Sequence, residues 1–273
     1  MDVNSDDAKQ LTDAIRMRYG LNLGLYADDS LRRRIKYAAR RIEITQFSEL
    51  ITTLLASPDH YYAFVGHLSV SVSEMFRDPA AFAFITQELF PKFEAYPYLK
   101  IWHAGCAHGE EVFSMMILLK EQGLLDRTLV YATDNNPQAL HRARQGIYEK
   151  SGLSAIETRY AAAGGLGNVR DYLIFSRFST MMIKPYLRER IVFAHHDLTT
   201  HTEFSHFQFI LCRNVFIYFS EEMRRHAANL FAQSLYPEGV LCLGRHESLP
   251  TSDARFSPVH KVLNIYRYCD QSN

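Results

Sequence analysis

Between residues 8 and 68 the apolar positions recur at helical spacing; from residue 100 onward they gather into short runs separated by amphipathic stretches. In the first region Leu11, Ile15 and residues 17–19 predict one helix, ended near Gly20 and Gly24. A second runs from 31 to about 42, with Asp28, Asp29 or Ser30 as its cap. A third covers 47–55 and a fourth 59–68, set apart by Ser57 and Pro58. Together they predict a small all-helical domain. Apolar and hydroxyl residues then alternate from 68 to 73, as in an extended segment. The Asp78-Pro79 step suits a helix start, with aspartate as cap and proline in the first turn.

The later region alternates strand and helix: strand 100–106, helix 109–122, strand 128–133, helix 137–147, strands 191–194 and 207–212, helix 220–235, and strands 239–244 and 263–269. Repeated units of this kind predict an α/β fold with a mostly parallel sheet, helices on both faces and ligands beyond the carboxyl ends of the strands. At those ends stand residues 105–111, Asp134, Asp197, and Arg213 with Asn214. Residues 149–190 break the alternation. They are far longer than an ordinary loop and carry two short β-like runs, so they predict an inserted antiparallel flap.

Composition narrows the classes. An apolar fraction of 47% supports a packed core, and 30 basic against 30 acidic residues leave no global field for nucleic acid or membrane. The four cysteines follow no C-x-x-C spacing and read as reduced thiols. No apolar run approaches the ~18 residues of a membrane span, and the polar N-terminus lacks a signal-peptide core. These features predict a soluble cytoplasmic protein. The twelve histidines show no metal-ligand spacing, so no metal is expected.

The stretch I-W-H-A-G-C-A-H-G-E-E, residues 101–111, holds the candidate chemistry. Gly105, Ala107 and Gly109 alternate in a turn where small side chains let backbone approach a ligand. The turn is not the G-x-G-x-x-G of dinucleotide folds. It resembles the looser turn of S-adenosylmethionine-dependent methyltransferases. Asp134, 25 residues after Gly109, is placed to accept hydrogen bonds from two ribose hydroxyls.

Taken together, R-R-R-I-K-Y-A-A-R-R-I, S-V-S-E-M-F-R-D-P, the 101–111 stretch, Y-A-T-D-N-N and L-C-R-N-V-F-I-Y-F resemble the CheR-type chemotaxis receptor methyltransferases over most of the chain. That family transfers methyl groups from S-adenosylmethionine to glutamate side chains of chemoreceptors. The resemblance implies a Rossmann-like methyltransferase sheet in residues 81–273, an antiparallel β subdomain at 149–190, and an N-terminal helical domain and linker in residues 1–80. It implies cofactor contacts from Ser71 and Ser73, where the family has Asn and Thr, and from Ala104 and Gly105 in the turn. Glu110 would bind the amino group, Asp134 the ribose, and Asp197 with Leu198 the adenine. Arg213 and Asn214 border the cofactor, while Arg77 and Tyr218 stand at the reacting centre. Departures are Met75 for a Phe, His103 for Ser, Ala107-His108 for Ser-Thr, and G-R-H-E for G-H-S-E at 244–247.

A glutamate acceptor is already ionised at neutral pH, so the chemistry needs alignment rather than a general base. The basic helix offers Arg33, Arg34, Arg40 and Arg41 as a docking ridge for the acidic cytoplasmic helices of methyl-accepting chemoreceptors. Two alternatives are a non-catalytic S-adenosylmethionine-binding module and a methyltransferase with a non-receptor acceptor. Nucleic-acid methylation is disfavoured, because the chain has no N/D-P-P-Y motif and no excess positive charge.

Overall fold

The computed structural model describes residues 1–68, 73–200, 202–250 and 253–269. The helical region comprises α1 (Ser5–Tyr19), α2 (Asp28–Arg41), α3 (Phe47–Ala56) and α4 (Pro58–Leu68). A capping box between Asn4 and Asp7 starts α1, and Gly20, at φ 78°, ends it. Leu11, Ile15, Ile35, Leu50, Leu54 and Phe64 are fully buried where the four helices meet. The expected cap of α2 is corrected: Ala27 holds that position and contributes no side-chain bond. Asp28 and Asp29 lie inside the first turn and pair with Arg32 instead. Acidic side chains at a helix N-terminus are favourable even without capping geometry.

A chain of short helical pieces then leads to the sheet: α5 (Pro79–Phe84), a π-helical turn (Ile85–Leu89) and α6 (Phe90–Phe93). Proline opens α5 as expected, but the Asp78 carboxylate does not cap it and pairs with Arg213. The larger sheet contains β1 (Leu99–Ala104), β2 (Thr128–Asp134), β6 (Ile191–His195), β7 (Phe207–Cys212), β8 (Leu235–Leu243), β9 (Phe256–His260) and β10 (Ile265–Tyr268). Their order is β6-β2-β1-β7-β8-β10-β9. The first four contacts are parallel, and β10 runs antiparallel to both neighbours. This is the predicted α/β architecture.

Helices α7 (Glu110–Glu121), α8 (Pro137–Gln145) and α10 (Glu221–Ser234) complete the layers. The central strand shows why both faces are apolar. Ile101 joins the core that holds Val112 and Met116 of α7, while Trp102 joins the core that holds Ala227 and Phe231 of α10. The expected helix at 137–147 stops earlier. Gly146 turns left-handed at φ 59°, and Ile147 opens a strand.

The insert is a three-stranded antiparallel sheet of β3 (Ile147–Glu149), β5 (Thr180–Ile183) and β4 (Leu173–Phe175), in that order. It also carries a helix, α9 (Leu153–Ala162), that the flap expectation omitted. Glu121, at the end of α7, ties this insert down by accepting hydrogen bonds from the hydroxyls of Tyr160 and Tyr172.

Candidate active site

The register of the parallel strands brings the predicted residues together. Ala104 pairs with Thr133, so the turn after β1 lies beside the end of β2. The amides of Gly105 and Cys106 both donate to the Thr133 carbonyl, at 2.8 and 2.9 Å. Gly105, Ala107 and Gly109 all have left-handed backbones, with φ of 83°, 50° and 88°. A Cβ on Gly105 would stand 2.6 Å from Val215 Cγ2, and one on Gly109 would stand 3.1 Å from the Ala143 Cβ. Glycine is needed there for close packing of the turn against its own protein, as well as for its backbone conformation.

A cleft of about 910 Å³, including its open mouth, lies over these strand ends. Gly105, Asp134, Asp197, Leu198 and Asn214 line it, as do Ser73, Arg77, Arg213 and Tyr218. Ala104 does not; it is buried beneath the turn at the end of β1. Ser71 lies outside the described residues. Glu110 faces a neighbouring groove of about 1350 Å³, which meets the cleft at Ser73.

Asp134 is buried, and burial raises its carboxyl pKa despite opposing amide bonds. Its Oδ2 accepts from the Ala107 amide at 2.8 Å and its Oδ1 from the Asn136 amide at 2.9 Å. Each oxygen therefore keeps acceptor capacity for a hydroxyl from the cleft. Glu110 Oε2 is buried with no hydrogen-bond partner, and burial pushes its carboxyl up to about 7. An orphaned carboxylate there suits a cationic amine. These two observations fit S-adenosylmethionine, whose ribose would rest on Asp134 and whose amino group on Glu110.

Arg77 sits between two left-handed residues, Phe76 at φ 55° and Asp78 at φ 53°. Phe76 costs roughly 1–2 kcal/mol in such a backbone, and Asp78 less, because a short polar side chain tolerates it. The turn is held from several sides. The Phe76 ring is fully buried against Phe82 and Tyr160, and its amide donates to Ser114 Oγ at 2.8 Å. Both terminal nitrogens of Arg213 donate to the Arg77 carbonyl at 3.3 Å. The Arg77 guanidinium itself makes no hydrogen bond or ion pair among the described residues and lines the cleft.

Tyr218 belongs to a tight loop after β7. Asn214 opens it with φ 61°, and Glu247 gathers it. Glu247 Oε2 accepts from the amides of Gly244 at 2.6 Å and Asn214 at 2.8 Å, and Oε1 from that of Ile217 at 3.1 Å. A Cβ on Gly244 would stand 2.8 Å from the Asn214 backbone nitrogen and 2.5 Å from Glu247 Oε2, so a larger residue would force the loop to shift. Glu247 was not among the candidate site residues, although the family resemblance at 244–247 keeps its glutamate three residues after a strand-end glycine.

The ridge expectation needs one correction. Arg33, Arg40 and Arg41 are exposed on α2, but Arg34 is 8% exposed and lines the cleft. Its guanidinium lies 3.6 Å from the centroid of the Tyr218 ring, and its Nη2 has no hydrogen-bond partner. Burial lowers its pKa, which Tyr218 and Tyr26 partly oppose. Tyr26, from the loop before α2, also lines the cleft and was not foreseen. Burial, followed by the Asp197 charge, pushes its phenol up to about 12. His103 is buried beneath the site beside Glu111, whereas His108 borders the second groove.

A parallel sheet with a small-residue turn after one strand and an aspartate at the end of the next is an arrangement that binds nucleoside-containing cofactors. Residues 71–264 match the family described as CheR methyltransferase, SAM binding domain, and residues 6–69 match CheR methyltransferase, all-alpha domain. The chain belongs to the CheR methyltransferase family. It is 39% identical, over 97% of both chains, to a Pseudomonas putida protein bearing the name methyltransferase Cher3. It is 27% identical to a chemotaxis protein methyltransferase of Listeria monocytogenes, over 89% of this chain and 90% of that protein. Chemotaxis protein methyltransferase 1 of Vibrio cholerae is 28% identical, over 88% of each.

Proposed function

We propose that this protein transfers a methyl group from S-adenosylmethionine to glutamate side-chain carboxylates of chemoreceptors, giving methyl esters and S-adenosylhomocysteine. The observation that carries this is an unpartnered cation, Arg77, lining the same cleft as the ribose-type acceptor Asp134 and the phenol of Tyr218. A module that only bound the cofactor would have no need of a free arginine beside it.

Bound S-adenosylmethionine supplies a sulfonium-activated methyl group, and the C–S electron pair leaves with sulfur as a carboxylate oxygen forms the new C–O bond. The chain's own residues do the positioning. Arg77 orients the acceptor carboxylate by one or two charged hydrogen bonds, and the Tyr218 hydroxyl fixes its second oxygen. Arg34, buried beside Tyr218, is in this assignment a residue facing the acceptor from inside the cleft. Arg33, Arg40 and Arg41 remain as the outer docking ridge. The unit at 1–80 thus presents the acceptor and the unit at 81–273 holds the cofactor, with Ser73 near their junction.

The test is incubation of the protein with methyl-labelled S-adenosylmethionine and chemoreceptor-containing membranes, followed by mild alkali. Label on receptor that alkali releases as methanol is expected from glutamate esters. Alkali-stable label would mean methylation of nitrogen or carbon, and no label would refute receptor methylation.

A further inference from the structure

The polar and charged side chains under the cleft form a continuous chain. His103 Nδ1 lies 3.1 Å from Glu111 Oε1. Glu111 Oε2 accepts from Arg213 Nη1 at 2.8 Å, and Asp78 Oδ2 accepts from Arg213 Nη2 at 2.9 Å. The same two nitrogens reach the Arg77 carbonyl. The Arg213 side chain is 2% exposed, so its terminal donors are committed to the protein and not to a ligand. Burial opposes its charge, yet Glu111 above all, with Asp78, holds its pKa above the usual guanidinium value. Glu111 likewise stays below the usual carboxylate value in spite of burial, because of Arg213 and His103.

We propose that Arg213, braced by Glu111 and Asp78, is a positioning residue: it clamps the left-handed turn at 76–78 and so aims the Arg77 guanidinium into the cleft. This goes beyond the cofactor contact expected of Arg213, and it rests on the role proposed above for Arg77. The need for a clamp follows from the backbone. Phenylalanine is poorly suited to a left-handed conformation, and two such residues flank Arg77. Ser114 and the aromatic contacts secure Phe76, but it is Arg213 that bonds to both the Arg77 carbonyl and the Asp78 side chain. A planar guanidinium can serve Glu111, Asp78 and a carbonyl together, which a lysine ammonium on a flexible stem does less well.

Removing Arg213 would strip the largely buried Glu111 of its guanidinium partner and endanger folding, so Asp78, 30% exposed at its side chain, is the position to change. Asp78→Asn keeps a residue that tolerates positive φ, and Asp78→Gly adopts that backbone freely. Both lose the carboxylate that braces Arg213. The expected result is S-adenosylmethionine affinity near the wild-type value but kcat for methyl transfer lowered about tenfold to hundredfold. Amide hydrogen exchange across 74–80 in Asp78→Asn should be about tenfold faster. Unchanged exchange in Asp78→Asn overturns the clamp. Faster exchange with unchanged kcat overturns its positioning role, as does full kcat in Asp78→Gly. Exchange is read without an acceptor, so a wild-type protein that methylates no receptor would defeat the proposed function while the clamp is still judged.

Discussion

Asp134 combines burial with spare acceptor capacity, since two amides take one site on each carboxylate oxygen and leave the rest for a ligand. A lost charged hydrogen bond is worth about 1.5–3 kcal/mol. Asp134→Ala should therefore weaken S-adenosylmethionine binding by roughly tenfold to hundredfold in calorimetry. Arg77→Ala should instead lower kcat by about a hundredfold with little change in cofactor affinity. Equal effects on both constants in both variants would contradict this division. Glu110 adds a pH signature. Its carboxyl is raised to about 7, so it is largely neutral below that value and becomes a partner for a cationic amine only above it. Cofactor affinity should tighten from about pH 6 to about pH 8, and Glu110→Gln should flatten the profile. Because the folded value exceeds the ordinary one of 4.5, the ligand-free fold loses stability as pH rises from there to about 7, and a bound cation offsets the loss. Asp134 was legible in the sequence because a strand end fixes where an isolated aspartate goes. Arg213 was legible as a strand-end residue but not as a clamp, since its partners lie 102 and 135 positions away in the chain.

The N-terminal helix α2 illustrates how charge can mask periodicity. Leu31, Arg34, Ile35 and Ala38 follow helical spacing and are all buried, so Arg34 shares the apolar stripe rather than the ridge. The docking-ridge expectation grouped it with Arg41, but Arg41 is the last residue of the helix and stands in solvent. The pair that does share an outer face is Arg33 with Arg40. Reversing both to glutamate should reduce receptor methylation by at least about tenfold, most strongly at low salt, with cofactor binding unaffected. Unaltered receptor methylation by the double variant would remove the ridge from the account. At the far edge of the sheet, β9 was not predicted because Pro258 interrupts it. Proline is tolerated there because β9 is an edge strand that needs fewer ladder bonds. Helix α9 was missed for a related reason. Leu153, Ile156 and Tyr160 mark only about two turns of stripe before Gly164 and Gly165 end it.

The helical unit and the sheet meet at the cleft rather than at a remote linker. The Ala27 amide donates to the Tyr218 carbonyl at 3.0 Å, Tyr26 bridges Phe219, and Arg34 lies over the Tyr218 ring. Asn136 Nδ2 reaches the Gly66 carbonyl at 3.2 Å on the other side of the junction. The acceptor docking proposed for α2 and the cofactor binding proposed beyond β1 and β2 would therefore be arranged around one loop, the one that carries Tyr218. The α/β alternation and the helical domain were readable from hydrophobic spacing, but this junction was not, because nothing local in 26–34 announces a partner near 218. Among the described residues no helix is long and apolar enough to cross a membrane. Methyl transfer to a carboxylate can be read at the acceptor residue by peptide mapping with mass spectrometry. After incubation with S-adenosylmethionine, receptor peptides should gain one methylene on glutamate side chains within acidic helical segments, and the Arg77→Ala protein should leave them almost unmodified. Methyl groups on lysine or asparagine, or an equal yield from Arg77→Ala, would contradict the account.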